Sequence, residues 1–152
     1  MQYEKYHFYD DGVEMMIPSC LKESISQFRV QNSFISDNNR VIVHVARGKD
    51  GLTQAQLETR MDEYCKGFVK NVPEFECLKI DKRQFLEDSF VDLRYFSKIR
   101  GYQFYNAFVL GIYGGRELIV TMQCMRNEII DNEHIFDFIA DSIRILKKEQ
   151  SA

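Results

Sequence analysis

The chain has 152 residues and a net charge of −3, and 45% of its residues are hydrophobic. This length and composition are typical of one globular domain with a sizeable core, and the mild acidity argues against general nucleic-acid binding, which usually needs a basic surplus. No apolar run approaches the roughly 18 to 20 residues of a membrane span, and the N-terminus lacks the basic-then-apolar pattern of a secretory signal. The sequence therefore predicts a cytoplasmic protein.

The chain begins with a predicted pair of short strands, residues 6–10 and 13–17, joined by the turn signal Asp11-Gly12. Pro18 is expected to end the second strand. Residues 19–32 are mixed and polar, so we expect irregular structure there.

A second predicted hairpin has strands at 33–36 and 40–48. The later strand contains VIVHVA, which is apolar on both faces, so we expect it to lie inside the sheet rather than at its edge. His44 is the polar side chain within this run, and we expect it to be a hydrogen-bonded core residue.

The clearest helix start in the chain is at Thr53, an N-cap residue with Gln56 three positions later, as in a capping box. The predicted helix covers 53–70 and ends before Pro73, which cannot continue it. Its apolar stripe, spaced mostly at three and four residues, consists of Leu57, Met61, Tyr64, Cys65 and Phe68.

Residues 75–85 are predicted to form a strand near a sheet edge, because their far end is polar. Three longer strands follow within 90–126, separated by the glycine turns Arg100-Gly101 and Gly114-Gly115. Two-residue loops at these turns fix the register, and the predicted cross-strand pairs include Ile99 with Tyr102, Phe96 with Tyr105, Tyr95 with Asn106, Leu93 with Phe108, Phe90 with Gly111, Val109 with Val120 and Ala107 with Met122.

The central strand of these three, 103–112, is largely apolar on both sides. An antiparallel sheet with one solvated face would instead alternate apolar and polar residues. We therefore predict an α+β fold, with a central antiparallel sheet of about six to seven strands covered by helices on both faces, as in an α/β/α sandwich.

A second helix is predicted after the polar segment 127–132, and the basic pair Lys147-Lys148 suits its C-terminus. Its apolar stripe is expected to consist of Ile135, Phe138, Ile139, Ser142 and Ile143. Residues 1–148 are predicted to form a single domain, followed by a disordered tail at 149–152.

No catalytic motif is found in the sequence. The three histidines His7, His44 and His134 do not have metal-ligand spacing, and the glycines within 111–115 join two strands rather than leading into a helix, as phosphate-binding loops do. The four cysteines form no CxxC pair and are expected to be reduced and buried. We therefore predict no metal site, no cofactor and no enzymatic activity.

One constellation suits a binding surface for a partner protein. Arg94, Phe96 and Lys98 share one face of their strand, and Tyr105 lies opposite Phe96, so aromatic rings lie beside two cations. If the covering helix leaves this end of the sheet open, the four residues form an amphipathic patch for a peptide or an acidic partner. Alternatively, a helix covers the rings and the cations extend past it.

Two further hypotheses come from other parts of the sheet. Asn106, Thr121 and Gln123 share a largely apolar face and either line a pocket for a small molecule or an enzyme substrate, or hydrogen-bond within the core. The strand at 75–85, near an edge, offers a route to a homodimer.

The layout of the chain resembles the DcrB/PsbP-like family. The resemblance covers nearly the whole chain and rests on the order of elements, on the pattern DG-x-x-x-x-IP at Asp11 to Pro18, and on Ser142-Ile143 in the closing helix. The fold of this family is shared by the photosystem II extrinsic protein PsbP and a Ran-binding nuclear-import factor. The resemblance implies a central antiparallel sheet between helices, a PsbP-like domain.

The resemblance also implies a function. Members are generally binding proteins rather than enzymes, and cytoplasmic bacterial members include Eag-type chaperones, which hold hydrophobic N-terminal segments of type VI secretion effectors. The Asp-x-Ser motif of those chaperones is absent after the opening strands of this chain. From the resemblance to the family as a whole, we expect a non-enzymatic adaptor or chaperone. It would hold a hydrophobic or amphipathic segment of a partner protein, such as a secreted effector.

Overall fold

The computed structural model describes residues 1–24 and 31–146. Predictions on other residues, including the basic pair Lys147-Lys148 and the tail at 149–152, lie outside this part of the chain. The described strands are β1 Tyr3–Phe8, β2 Val13–Pro18, β3 Leu21–Ser24, β4 Gln31–Ser36, β5 Ile42–Arg47, β6 Glu76–Phe85, β7 Asp88–Ile99, β8 Tyr102–Tyr113, β9 Arg116–Met125 and β10 Arg144–Ile145, and the α-helices are α1 Leu57–Asn71 and α2 Ile129–Ser142.

Two antiparallel sheets organise these elements. The larger has seven strands in the order β3-β4-β5-β9-β8-β7-β6, and the smaller has three in the order β1-β2-β10. The α+β class and the central antiparallel sheet with helices on both faces are therefore confirmed. None of the described helices is both long and apolar enough to span a bilayer.

The meander β7–β8–β9 has the register that its turns predict. Tyr95 faces Asn106, Phe96 faces Tyr105, and Ala107 faces Met122. Positive φ angles at Arg100, Gly101, Gly114 and Gly115 form the two turns. Two-residue loops leave no freedom to slip by one position, because a slip would reverse the face of every side chain.

Strand β8 is the most enclosed strand of the sheet. Every residue from Tyr105 to Tyr113 is buried, whereas Tyr102 and Gln103 are exposed. The predicted burial of 103–112 on both sides is thus confirmed except at its first two residues. Gly111 is needed on this strand because a Cβ there would lie 2.4 Å from the ring of Phe90.

One face of the seven-stranded sheet is covered by α1. Gln56 Oε1 accepts the N–H of Thr53 at 2.9 Å and completes the predicted capping box, after which a short 3-10 turn leads into α1 at Leu57. The helix ends at Asn71, as Pro73 predicts. The core on this side consists of Leu52, Leu57, Met61, Val91, Leu93, Phe108, Leu110 and Ile112.

The opposite face is covered by α2 together with the small sheet. Phe136 of α2 is fully buried and stacks on Tyr105 with ring centroids 5.7 Å apart. The prediction of Phe138 as a core residue is wrong, because its ring packs on Tyr3 at the rim of the domain and stays 44% exposed. Ser142 Oγ accepts the N–H of Met16 at 3.0 Å and so ties the end of α2 to β2.

Two local predictions near the N-terminus are corrected. The first strand spans Tyr3–Phe8 rather than 6–10, because Tyr9, Asp10 and Asp11 adopt positive φ angles and form the turn. Irregular structure was expected at 19–32, but Leu21–Ser24 pairs with β4 as a strand. Residues 25–30 of that segment lie outside the described chain.

A buried charge cluster joins β7, β6 and α2. The side chain of Arg94 is fully buried, and its Nε and Nη2 donate to the two carboxylate oxygens of Asp92 at 2.8 and 2.9 Å. Arg83 from β6 also donates to Asp92 at 2.8 Å. Arg94 Nη1 donates to the hydroxyl of Tyr105 at 2.7 Å, and its Nη2 lies 2.8 Å from Asp137 of α2 in an ion pair.

These contacts keep the side chain of Arg94 charged. Burial acts to lower the pKa of Arg94, but the bonds to Asp92 and Tyr105 outweigh it, so the pKa is raised and the guanidinium stays charged. Burial raises the pKa of Tyr105 to about 12, so its hydroxyl stays protonated and accepts from Arg94 as a neutral group. Because Arg94 is buried and also pairs with Asp137 of α2, a shift of the helix would separate this ion pair. The pair therefore fixes α2 at one position over the sheet.

A second buried charge, Glu117 on β9, holds the start of α1. Its carboxylate accepts from Arg60 Nε at 2.7 Å, from the Tyr64 hydroxyl at 2.8 Å and from the N–H of Lys49 at 2.8 Å. Burial acts to raise the pKa of Glu117, but these three donors outweigh it, so the pKa lies below its usual value of 4.5.

We expect Asp92→Asn to destabilise the protein by about 3–5 kcal/mol, because Arg94 and Arg83 would lose the buried carboxylate that they share and would keep only partly exposed acidic partners on α2. The matched control is Glu14→Gln, which removes a partly exposed partner of Lys5 at 3.6 Å and should cost less than about 1 kcal/mol. Urea unfolding of both variants measures the difference. Equal losses in the two variants would contradict the assigned role of the buried cluster.

We expect Glu117→Gln to lower the free energy of unfolding by about 2–4 kcal/mol at pH 7, through loss of the charged partner of Arg60. Because the folded pKa of Glu117 is lowered, its contribution is present above pH 4.5 and is lost as the pH falls through the folded value. Unfolding curves of wild type and variant should therefore converge below pH 4.5. A gap that is constant with pH would contradict this assignment.

Candidate functional site: the uncovered part of the sheet

Helix α1 is too narrow to cover its face of the seven-stranded sheet. Its 15 residues give a rod about 22 Å long and about 10 Å wide, and strands lie about 4.8 Å apart, so one helix covers roughly two strands. Arg60 binds Glu117 on β9 near the start of α1, while Pro73, just after the helix, accepts the N–H of Lys98 near the end of β7. The helix thus crosses the sheet diagonally and leaves the far ends of β5, β9 and β8 uncovered.

Apolar side chains lie on this uncovered part. Ile42, Phe104 and Met125 are only half-buried, and Tyr102 is 62% exposed. Their register places them on the α1 side of the sheet, because Ile42 pairs with Gln123 and Phe104 pairs with Met125. Partly exposed apolar residues on a sheet face mark a place where another chain or a ligand can pack.

Two adjoining depressions form a concave surface here. The first, which we call the polar cavity, has a volume of about 260 Å³, and the second, the apolar depression, about 460 Å³. They share Ile42 and Gln123, and together we call them the sheet groove. The polar cavity is lined by Ile42, His44, Tyr95, Asn106, Ala107, Thr121, Met122 and Gln123, and the apolar depression by Asn39, Arg40, Ile42, Tyr102, Phe104, Gln123, Met125 and Asn127.

The floor of the polar cavity is a chain of amides. Asn106 Nδ2 donates to Ser97 Oγ at 2.9 Å, and Gln123 Nε2 donates to Asn106 Oδ1 at 2.8 Å. These bonds fix the orientation of both amides across three strands. Asn106 is therefore fully engaged, whereas Gln123, which is half-buried, retains an amide oxygen beside the cavity.

His44 forms one wall of the polar cavity. Its Nδ1 lies 2.7 Å from Ser33 Oγ, which confirms the predicted hydrogen bond, but the side chain is half-buried beside the cavity rather than part of the core. Burial lowers the pKa of His44 below its usual value of 6.5, so the ring is neutral at pH 7. No charged side chain lines the polar cavity within the described residues, so it suits uncharged groups.

Polar residues line the edge of the apolar depression. Arg40 pairs with Glu128 at 2.7 Å, and Asn39 and Asn127 also line the depression. These residues bring polar groups to the rim while the centre of the depression stays apolar. A polar rim around an apolar centre is the usual anatomy of a surface that binds another protein.

The predicted patch of Arg94, Phe96, Lys98 and Tyr105 does not form an open surface. Its expected exposure is wrong for Arg94 and Tyr105, which are fully buried because α2 lies over them. Phe96 and Lys98 stay half-buried at the end of β7, with Lys98 Nζ 3.7 Å from Glu74. A role for these two residues in binding a partner remains a prediction.

The predicted pocket residues Asn106, Thr121 and Gln123 do lie together, in the polar cavity. That they bind a ligand remains a prediction. The sequence analysis did not single out Ile42, Phe104 or Met125 as surface residues. Their apolar character suggested a covered core, and only the path of α1 leaves them open.

The remaining chemistry-bearing groups are dispersed. All four cysteines are free; Cys20 and Cys77 are exposed and Cys65 is half-buried, so the expectation of burial is correct for Cys124 alone. Burial raises the pKa of Cys124 to about 12, which leaves no thiolate there at neutral pH. No cluster of three His, Cys, Asp or Glu suited to a metal occurs in 1–24 and 31–146.

Comparisons with solved structures identify the fold. Cyanobacterial PsbP from Synechocystis sp. PCC 6803 matches with a TM-score of 0.68 at 13% identity, over 94% of this chain and 92% of that one. The Ran-binding protein Mog1p of Saccharomyces cerevisiae matches with a TM-score of 0.65 at 6% identity, over 97% of each chain. LpqN of Mycobacterium tuberculosis, involved in cell envelope biogenesis, matches with a TM-score of 0.61 at 14% identity, over 93% and 89%.

The chain therefore has the PsbP-like fold that the resemblance implied. No protein-family model matches the sequence, and comparison with curated protein sequences gives no match. At such low identities the likeness concerns the fold alone, so the function has to be argued from the surface of this chain.

Proposed function

We propose that this protein is a non-enzymatic binding module, an adaptor or chaperone that holds a hydrophobic or amphipathic segment of a partner protein in the sheet groove. The observation that carries the proposal is the open part of the sheet face, where Ile42, Phe104 and Met125 remain half-buried beside a depression of about 460 Å³. Packing a partner's apolar side chains there would remove this surface from water at roughly 25 cal/mol per Å².

The shape of the groove favours a polypeptide segment as the occupant. The apolar depression continues into the polar cavity across Ile42 and Gln123, so the surface is elongated rather than closed. An elongated surface with apolar residues at one end and uncharged hydrogen-bonding groups at the other suits a segment whose apolar side chains are followed by uncharged polar ones. Among the residues that the structure describes, none offers a charged ligand a counter-charge in the polar cavity.

The structural neighbours support this kind of role without specifying the partner. One of them, Mog1p, is a Ran-binding protein. We further propose that the chain belongs to the DcrB-like group, that it is located in the cytoplasm, and that residues 1–148 form a single domain. On that assignment the segment held would be the hydrophobic N-terminal part of a secreted effector.

A second candidate function rests on the polar cavity alone. His44, Thr121 and Gln123 bring uncharged polar groups to the lining of about 260 Å³ of space, which is slightly smaller than the roughly 300–1,000 Å³ of typical ligand pockets and suits a very small ligand. On this alternative, Thr121→Val and Gln123→Leu would abolish binding of a small uncharged ligand, and changes at Phe104 would have little effect.

The groove is tested by selecting peptides from a random displayed library on wild-type protein and on Phe104→Asp. We expect wild type to enrich apolar or amphipathic peptides, and Phe104→Asp to bind them at least about tenfold more weakly, because a carboxylate would be desolvated at the centre of the contact. Fluorescence anisotropy of the enriched peptides measures the change in affinity.

The matched control for this selection is Val69→Asp, which changes an apolar residue of α1 that is 68% exposed outside the groove. It should bind the selected peptides like wild type, and thermal melts should show that both variants are folded. Absence of enrichment on wild type, or equal affinity of wild type and Phe104→Asp, would overturn the proposal.

A further inference from the structure

Strand β6 is an edge strand of the seven-stranded sheet. It pairs with β7 on one side, and no strand of the described chain pairs with its other side. Nine of its ten residues are exposed, including Ile80 at 48%, and Leu86 in the following turn is 80% exposed. Unpaired backbone groups along an edge with exposed apolar side chains are the features of a strand that pairs with another strand.

The sequence of β6 is complementary to itself when paired about Ile80. In an antiparallel pair of identical strands related by a two-fold axis, the residue on the axis faces its own copy, and its two neighbours face each other. With Ile80 on the axis, Lys79 faces Asp81 of the second copy, and Asp81 faces Lys79 of the second copy. Two opposite-charge pairs then flank an apolar pair, the arrangement that stabilises cross-strand contacts.

Other registers in the middle of β6 place like charges opposite each other. An axis on Asp81 would bring two carboxylates together and set Lys79 against Arg83. An axis on Lys79, Lys82 or Arg83 would bring two cations together. Because like charges directly opposite are destabilising, Ile80 is the favoured centre within the run 79–83.

The structure places Lys79 and Asp81 on one face of the sheet and Ile80 on the other. Lys79 Nζ lies 3.6 Å from Asp81 Oδ2 in the same chain, and both side chains are about half exposed. Register with β7 places Lys79 opposite Arg94 and Asp81 opposite Asp92, so both lie on the α2 side of the sheet. Ile80 lies opposite Leu93, on the α1 side, where a second Ile80 would meet it.

We infer that the chain forms a two-fold homodimer through β6, with Ile80 on the axis and the two sheets joined edge to edge. A bulge between Cys77 and Lys79 interrupts the ladder on one side of the axis, so the pairing is short and the dimer depends on concentration. The sheet groove lies over β5, β9 and β8 and reaches Tyr95 of β7, but none of its lining residues is on β6, so it stays open in the dimer. This inference does not rest on the proposed function.

The test uses reversal of the two charges, followed by light scattering and sedimentation equilibrium over a concentration series. Lys79→Asp and Asp81→Lys each replace two attractive pairs with two repulsive ones, so each should weaken self-association about tenfold or more. The double variant Lys79→Asp/Asp81→Lys restores both pairs and should dimerise like wild type. An equimolar mixture of the two single variants should form a heterodimer, since all four facing charges are then opposite.

The control is Lys22→Glu on β3, at the other edge of the sheet, which should leave dimerisation unchanged. All the substituted residues are exposed, and circular dichroism confirms that each variant is folded. A wild-type protein that is monomeric at millimolar concentration overturns the inference. So does a dimer that the single reversals leave intact, or a double variant and a mixture that both stay monomeric.

Discussion

The structure depends on the burial of strand β8 on both sides. Every residue from Tyr105 to Tyr113 is buried, and an antiparallel sheet with such a strand must be covered on both faces. The two faces of the sheet are covered by different elements. On one side α2 and the small sheet form a continuous layer, and on the other α1 stands alone. The asymmetry of the two covers gives the molecule one closed face and one that is partly open.

Buried charges fix each cover in place. Arg94 and Asp92 lie beneath α2 and bond to each other, while Arg94 also contacts Asp137 of the helix. Glu117 holds the start of α1 through Arg60 and Tyr64. Apolar packing alone tolerates small shifts of a helix over a sheet, whereas a buried ion pair loses several kcal/mol when its partner moves away. The path of α1, and with it the extent of the open face, is thereby defined.

The open face and the free edge are separate consequences of the same architecture. One helix covers about two strands of a sheet seven strands wide, so part of the α1 side remains available for a partner's segment. The seven-stranded sheet ends at β6, and no strand of the described chain pairs with the outer side of β6, so a second copy can extend the ladder. The groove and the edge lie over different strands, and one molecule can use both.

Local sequence determined the strand pairing of the meander, the capped start of α1 and the position of β6 near an edge. Turn residues and side-chain alternation act over a few positions, and they leave a single register for Phe96 opposite Tyr105. Turn residues and side-chain alternation do not determine which of the paired residues are exposed to solvent. Arg94 and Tyr105 share a face with Lys98, yet α2 buries the first two and leaves the third at the rim.

The candidate site was predicted only in part for the same reason. Asn106, Thr121 and Gln123 could be placed on one face from the register alone, and the structure brings them into one cavity. That Ile42, Phe104 and Met125 are open to solvent was decided by the diagonal path of α1, and the joining of β1 and β2 with β10 in a second sheet was decided by packing against α2. Pairing between neighbouring strands is set by short-range geometry, whereas the choice of which element covers which part of a face depends on contacts between residues far apart in the chain.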